Sequence, residues 1–91
     1  MNWIEVIQIR ISGKDHKLLE PQLKQLMQEV NLATDDQLVV YKQLGLDTDI
    51  RIHLNHSSKK VENGGSTLGL RLVSALKEYG LVNHSVWQEV K

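Results

Sequence analysis

Strict alternation of apolar and polar side chains constrains the fold of this chain more than any other feature. Apolar residues occupy every second position from Ile50 to Leu54. A second run, over residues 3–12, ends in isoleucines that alternate from Ile7 to Ile11. Because successive side chains of a strand point to opposite faces, both runs predict β-strands with one face in a core.

Two further runs, residues 37–44 and 81–90, also have the composition and alternation of strands. The run 37–44 is separated from the strand predicted over 48–56 only by a short turn that begins at Gly45. Two strands joined in this way are typical of an antiparallel hairpin.

Two segments, 19–30 and 68–79, carry apolar residues at the spacing of an amphipathic helix. Pro21 lies near the start of the first segment and disfavours helical angles at the residue before it. We therefore expect the regular first helix to begin at Pro21, after an irregular turn for which Asp15 is the candidate cap.

The second helix is bounded by capping signals at both ends. Ser66 or Thr67 is expected to cap its start. Gly80 followed by Leu81 is typical of a Schellman stop, in which a left-handed glycine ends a helix.

The segment 56–66 before the second helix is polar and contains the pair Gly64-Gly65, which predicts a long loop. A Gly-rich turn at a helix start can also present backbone amides to an anion, with Lys59 and Lys60 nearby. A loop that needs only flexibility has the same composition, and we favour the loop.

The order strand, helix, strand, strand, helix, strand predicts an α+β fold. The simplest closure is a ferredoxin-like βαββαβ arrangement, a four-stranded antiparallel sheet with both helices on one face. The sequence shows no repeat or linker, so residues 1–91 are expected to form a single domain.

Composition removes several functional classes. Eleven Lys and Arg are matched by eleven Asp and Glu, which lacks the basic surplus of a nucleic-acid binder. Without Cys there is no disulfide framework, thiol nucleophile or thiolate metal site. No apolar run is long enough for a signal peptide or a membrane span. We expect a cytoplasmic protein with neither a nucleic-acid nor a membrane partner.

The sheet face away from the helices is expected to mix polar and apolar residues. A domain of this size buries only about 60–65% of its unfolded surface, so covering this face with a second copy would add useful stability. We expect a homodimer formed through this face, with a solvated face as the alternative. The expected dimer interface comprises Ile4, Val6, Val39, Tyr41 and Trp87.

The element order and the segment IHLNHS at residues 52–57, followed by a loop and a helix, resemble the dimeric α+β barrel group. Within that group the chain resembles the antibiotic biosynthesis monooxygenase family. By element order the resemblance covers the whole chain. It implies a homodimer and, for function, a cofactor-independent monooxygenase or a binder of small aromatic molecules.

A monooxygenase of that kind needs an apolar pocket, a base and a donor for the oxyanion that forms as oxygen is added. His84 or His56 is the candidate base, Asn55 the candidate donor, and Trp87 the candidate wall of the substrate pocket. The alternation points both His toward the helices and the other two residues away, so one pocket would need a bulge to hold all four.

The His residues do not predict a metal site, and no cofactor is expected. His53 and His56 lie three apart on one strand and point to opposite faces. His56 and His84 share a face, but at about 10 Å between backbones, two interstrand spacings. Structural zinc normally needs four protein ligands, and no further ligands are available here.

Two arginines, Arg10 and Arg51, fall on the outer face. We expect them to pair with Glu5 or Glu89 of a neighbouring strand or subunit. Exposed pairs of this kind contribute about 0–1 kcal/mol, whereas enclosure at a dimer interface would change that value.

Two functional hypotheses follow. The first is a homodimeric α+β barrel protein with monooxygenase activity or a small-molecule ligand. The second is a non-enzymatic interaction or regulatory module on a ferredoxin-like scaffold, a fold that hosts many unrelated activities. A closed pocket lined by His84 would favour the first hypothesis, and a filled core would favour the second.

Overall fold

The computed structural model describes residues 2–11, 16–33, 35–57 and 60–90. The chain is an α+β protein with a four-stranded antiparallel sheet and two helices, which confirms that part of the prediction. Its elements are β1 (Trp3–Ile11), α1 (His16–Ala33), β2 (Gln37–Gln43), β3 (Leu46–His56), α2 (Thr67–Leu76) and β4 (Gly80–Gln88).

The strands lie in the order β2-β3-β1-β4, so β1 is a central strand with β3 and β4 as its two neighbours. The pairs β1–β3, β1–β4 and β2–β3 are all antiparallel. Glu5 of β1 lies opposite Leu54 of β3 and Val86 of β4. This arrangement is compatible with a ferredoxin-like fold.

The alternation of β1 separates a buried face from a half-exposed one. Every odd-numbered residue from Trp3 to Ile11 is buried, whereas the even-numbered residues between them are partly or fully exposed. The buried face packs against both helices in a single aliphatic core. The core consists of Ile7, Ile9, Ile11, Leu19, Leu23, Val30, Leu38, Ile50, Ile52, Leu54, Leu72 and Leu76.

The first helix begins earlier than the sequence predicts. It is helical from His16 and includes Pro21 in its second turn, so the prediction that regular helix starts at Pro21 is wrong. One missing backbone donor is tolerated because Leu19 and Leu23, on either side of the proline, are buried in the core. Asp15, the candidate cap, lies outside the described residues.

The predicted Schellman stop at Gly80 is also wrong. Helix α2 ends at Leu76 with Lys77 as a right-handed C-cap, and Gly80 is already the first residue of β4. Among the described glycines only Gly45 and Gly65 have a positive φ. Gly80 pairs with Ile11, and a Cβ at this position would overlap the backbone carbonyl of Arg10. Close approach of two strands, not helix termination, therefore requires this glycine.

Neither helix, within the described residues, has the combination of length and apolar character that crossing a membrane requires.

The substitution Gly80→Ala should lower the free energy of unfolding by about 1–3 kcal/mol, because the added methyl group must displace the backbone of β1. Gly64→Ala is the matched control, since a Cβ at Gly64 would meet no atom within 4 Å. Urea unfolding of both variants checks this. Equal stabilities of the two variants would contradict the close approach of β1 and β4.

Candidate functional site

A fully buried carboxylate lies in the middle of the sheet. Glu5 is 0% exposed and faces the helices, because it lies on the same side of β1 as the buried Trp3 and Ile7. The prediction that Glu5 pairs with Arg10 or Arg51 on the outer face is therefore wrong. Arg10 instead pairs with Asp49 of β3, with 3.1 Å between Arg10 Nε and Asp49 Oδ1.

Each oxygen of the Glu5 carboxylate accepts two hydrogen bonds. Oε1 accepts from the backbone amide of Ser66 at 3.0 Å and lies 2.9 Å from His84 Nε2. Oε2 accepts from Ser66 Oγ at 2.5 Å and lies 2.5 Å from His56 Nε2. These donors come from β3, β4 and the start of α2, so one side chain joins three elements to β1.

These contacts decide the charge of Glu5. Burial by itself would raise the pKa of the carboxyl group, but hydrogen bonds from Ser66, His56 and His84 outweigh it and hold the pKa below its ordinary value. Glu5 is therefore an ionised carboxylate at neutral pH, enclosed by the protein.

His56 lies between two carboxylates. Its Nε2 faces Glu5, and its Nδ1 lies 3.0 Å from Oδ2 of Asp36. Carboxylate oxygens only accept hydrogen bonds, so the imidazolium form, which donates from both nitrogens, satisfies both contacts. The ring also stacks on Trp3, with ring centroids 4.0 Å apart and an interplanar angle of 22°. Its orientation is therefore fixed by contacts on both nitrogens and one face.

The start of helix α2 forms the other side of the carboxylate site. Ser66, one of the two residues predicted to cap the helix, is the N-cap, and its Oγ accepts a hydrogen bond from the amide of Gly69 at 3.0 Å. The positive end of the helix dipole and the free amides of the first turn stabilise an anion at this position. The anion found there is the chain's own Glu5. Of the two lysines considered for an external anion, Lys59 lies outside the described residues.

Two glycines leave the space that the carboxylate occupies. A Cβ at Gly69 would overlap Oε1 of Glu5 and lie 2.7 Å from its Cδ. Gly65 has a φ of +99°, and a Cβ there would meet the imidazole of His84 and lie 2.8 Å from Oε1. Both positions exclude any larger residue while the cluster is intact.

The structure brings together two of the four candidate catalytic residues. His56 and His84 lie on strands that flank β1 and meet at Glu5, which the sequence analysis did not assign to the site. Asn55 and Trp87 lie on the opposite face, each opposite Ile4 in the register of the sheet. No group of three His, Asp or Glu among the described residues is arranged to hold a metal ion.

The cluster around Glu5 is closed. The groove beside Tyr41, the one beside Leu81 and the one between α1 and α2 are not lined by Glu5, His56 or His84. His84 retains 15% side-chain exposure, whereas the side chain of His56 retains 3%. With both oxygens of the carboxylate saturated, the cluster fixes β3, β4 and the start of α2 against β1.

The sheet face away from the helices, here called the open face, divides into two ends. The apolar end consists of Ile4, Val6, Val39 and Trp87. These residues lie in two adjacent rows, a row being the residues that are opposite one another across the four strands, and polar residues complete both rows. The polar end consists of Gln8, Arg10, Tyr41, Asp49, Arg51 and Asn83, which lie in the next two rows together with the exposed Leu81 opposite Arg10.

A groove of about 550 Å³ lies on the β2–β3 side of the polar end. Tyr41, Arg51 and His53 are among its lining residues, and the Tyr41 and His53 rings are 4.7 Å apart. Burial and the charge of Arg51 lower the pKa of His53, so this ring is neutral at pH 7. His53 Nε2 is shielded from solvent and has no hydrogen-bond partner among the described residues.

No family model, curated protein or solved structure matches this chain. The resemblance to the monooxygenase family is therefore untested and stays a prediction.

The substitution Glu5→Gln should lower the free energy of unfolding by about 3–5 kcal/mol, the range for removing one partner of a buried ion pair. Ser66→Ala, which removes the hydroxyl donor and the cap acceptor, should cost about 1–3 kcal/mol and provides a folded variant. The control is Glu29→Gln, at an exposed helical position. Guanidinium unfolding that finds all three variants equal to wild type would contradict the role of the cluster.

The pH dependence of stability should report the same carboxylate. The pKa of Glu5 is lowered from 4.5 in the fold, so the unfolded chain binds the proton more readily. Wild type should keep the full contribution of Glu5 above about pH 4.5 and lose it as the pH falls through the lower folded value. Asp49, whose pKa is also lowered, adds to the loss. Ser66→Ala should show a smaller loss, and an identical pH profile for both proteins would contradict the assignment.

For the substitution Gly69→Ala, helix propensity and packing predict changes of opposite sign in the free energy of unfolding. Ala is favoured over Gly by about 1 kcal/mol in a helix, but the new Cβ overlaps the Glu5 carboxylate. We expect a net destabilisation of about 1–3 kcal/mol, measured by thermal or urea unfolding. Ser74→Ala, at an exposed position of the same helix, is the control and should be neutral or stabilising.

Proposed function

We propose that this chain is a non-enzymatic binding module that forms a homodimer through its open face. The observation that carries the proposal is the contrast between the two sides of the sheet. On the helix side the core is aliphatic, the groove between α1 and α2 is lined by neither candidate base, and both oxygens of the buried carboxylate are saturated. On the open face, Trp87 is 59% exposed, and Tyr41, which lines a groove, is 49% exposed.

The exposed area of the chain supports a second copy as the occupant. A compact monomer of 10.4 kDa exposes about 5,400 Å² by the scaling of surface with mass, whereas this chain exposes 6417 Å². The excess of about 1,000 Å² is close to the roughly 800 Å² that each partner buries in a standard interface. Two copies that covered each other would bring the exposed area into the normal range.

The apolar end of the open face supports the placement of the dimer contact. Ile4, Val6 and Val39 are half-buried there, and Trp87 extends over the same rows. Trp87 Nε1 donates to Ser85 Oγ at 2.8 Å, so the polar atom of the indole already has a partner and the ring can be covered without leaving that donor unsatisfied. A twofold axis through this patch would bring the same residues together from both copies. Tyr41, in the row beyond Val39, lies at the edge of the proposed interface, where its ring also lines the groove.

A ferredoxin-like βαββαβ assignment is part of the proposal. It is supported by the element order, by the central position of β1 between β3 and β4, and by the packing of both helices into one core. Sheets of this kind associate face to face in the dimeric α+β barrel group that the sequence resembles.

The monooxygenase activity that the resemblance implies stays a prediction. A base must reach substrate, and both candidate bases direct Nε2 to Glu5. Asn55 and Trp87 lie on the open face, so they belong to the proposed binding surface rather than to a site shared with the two histidines. For this reason the second hypothesis, a binding module, has the stronger support.

Sedimentation velocity at micromolar concentration should find wild type as a dimer. Trp87→Ala should weaken association by at least tenfold, because truncating a central interface tryptophan commonly costs about 2 kcal/mol or more. Tyr41→Glu should also weaken association, because it places a carboxylate at the edge of the interface. Leu32→Ala, at a 90% exposed position on α1, is the control and should sediment like wild type. A monomeric wild type would overturn the proposal.

A further inference from the structure

We propose that the groove at the polar end of the open face binds a small aromatic carboxylate, with the carboxylate on Arg51 and the ring against Tyr41. This inference rests on the proposed function, since it places a ligand on the same binding surface. It adds the ligand class and the two residues that would recognise it. The dimer contact is centred on the apolar end, and Tyr41, at its edge, is the one residue that the two sites share.

The size of the groove fits a small molecule. Its volume of about 550 Å³ lies inside the range of about 300–1,000 Å³ that is typical of ligand pockets. The floor is the sheet itself, where Gln8 and Arg51 are cross-strand neighbours. Sheet residues hold their side chains in a fixed direction, which suits recognition of a rigid planar ligand.

The charge in the groove selects an anion. Asp49 is already held by Arg10, and Lys42, at the edge of the groove, pairs with Glu20 at 3.1 Å. Arg51 has no carboxylate partner among the described residues. Its guanidinium offers a planar fork of donors that matches the two oxygens of a carboxylate. Among the lining residues that the structure describes, one positive charge is therefore left without a carboxylate partner, which fits a monoanion.

The aromatic character of the ligand follows from the neighbour of Arg51. Tyr41 is directly opposite Arg51 in the β2–β3 register, and about half of its surface is exposed. An aromatic acid can place its ring on the tyrosine while its carboxylate reaches the guanidinium one strand away. His53 beneath the tyrosine is neutral at pH 7, so it does not add a second cation.

Other anions fit less well. A nucleic acid or a polyphosphate needs several cations along its backbone. A simple aliphatic acid would leave the exposed part of the Tyr41 ring uncovered. The combination of one free guanidinium and one exposed aromatic ring within a single cross-strand pair is matched best by a ligand with one carboxylate and one ring.

The test is a titration of the ¹⁵N-labelled wild-type chain with benzoate, followed by amide chemical shifts. Benzoate should shift the amides of Tyr41 and Arg51 saturably, with a dissociation constant on the order of 1 mM or tighter for so small a ligand. Benzamide, which keeps the ring and lacks the charge, and acetate, which keeps the charge and lacks the ring, should each bind at least tenfold more weakly.

Two variants assign the contacts. Arg51→Gln should weaken benzoate binding at least tenfold and remove its preference over benzamide. Tyr41→Leu should weaken benzoate severalfold while leaving acetate unchanged. Arg71→Gln, which removes an exposed arginine from α2, is the matched control and should bind benzoate like wild type.

The outcomes separate this inference from the proposed function. If benzoate fails to bind, or binds no better than benzamide or acetate, the ligand site is wrong even when sedimentation finds a dimer. Equal effects of Arg51→Gln and Arg71→Gln would overturn it in the same way. If benzoate binds with the expected selectivity to a monomer, the ligand site stands and the homodimer is wrong.

Discussion

A buried negative charge and the four donors that surround it organise this molecule. An ionised carboxylate removed from water is strongly unfavourable unless charged or polar groups compensate it. Glu5 meets that requirement with the hydroxyl and amide of Ser66 and the Nε2 atoms of two histidines. Because the donors belong to β3, β4 and the start of α2, the carboxylate can be satisfied only when all three elements are in place.

Several local features that look unrelated are consequences of this site. Gly65 and Gly69 are present because any Cβ would enter the volume of the carboxylate or of His84. Ser66 caps the helix and binds the anion with the same hydroxyl group. Asp36 holds the far side of His56, so the cluster reaches the start of β2 as well. The polar interior is therefore a structural junction that joins all four strands and helix α2.

The sequence predicted the parts of the fold that depend on periodicity. The alternation of β1 and β3, the helical spacing of α1 and α2 and the cap at Ser66 identify the elements and their buried sides. Where one residue type serves two purposes, the prediction was wrong. Gly80 looks like a helix stop but is needed for strand contact, and Pro21 looks like a helix start but lies in the second turn.

The site was only half predictable. The alternation of apolar and polar residues was enough to assign His56 and His84 to the helix side of the sheet. Their common partner, Glu5, is on β1, and it becomes adjacent to both only because β1 lies between β3 and β4. Glu5 is on the same side of β1 as Ile7, and this position was the one sign in the sequence that its carboxylate is buried. A charged residue between Trp3 and Ile7 is normally expected to face solvent. The histidines that compensate Glu5 are 51 and 79 positions away along the chain, so the sequence around Glu5 does not reveal them.

The most direct test of the central claim is the titration of Glu5 itself, followed by the ¹³C chemical shift of its carboxyl carbon. The structure predicts that this carbon keeps the shift of an ionised carboxylate as the pH falls through 4.5, and that it titrates only below that value. A midpoint above 4.5 would mean that the interior holds a neutral carboxyl group, and it would contradict the account.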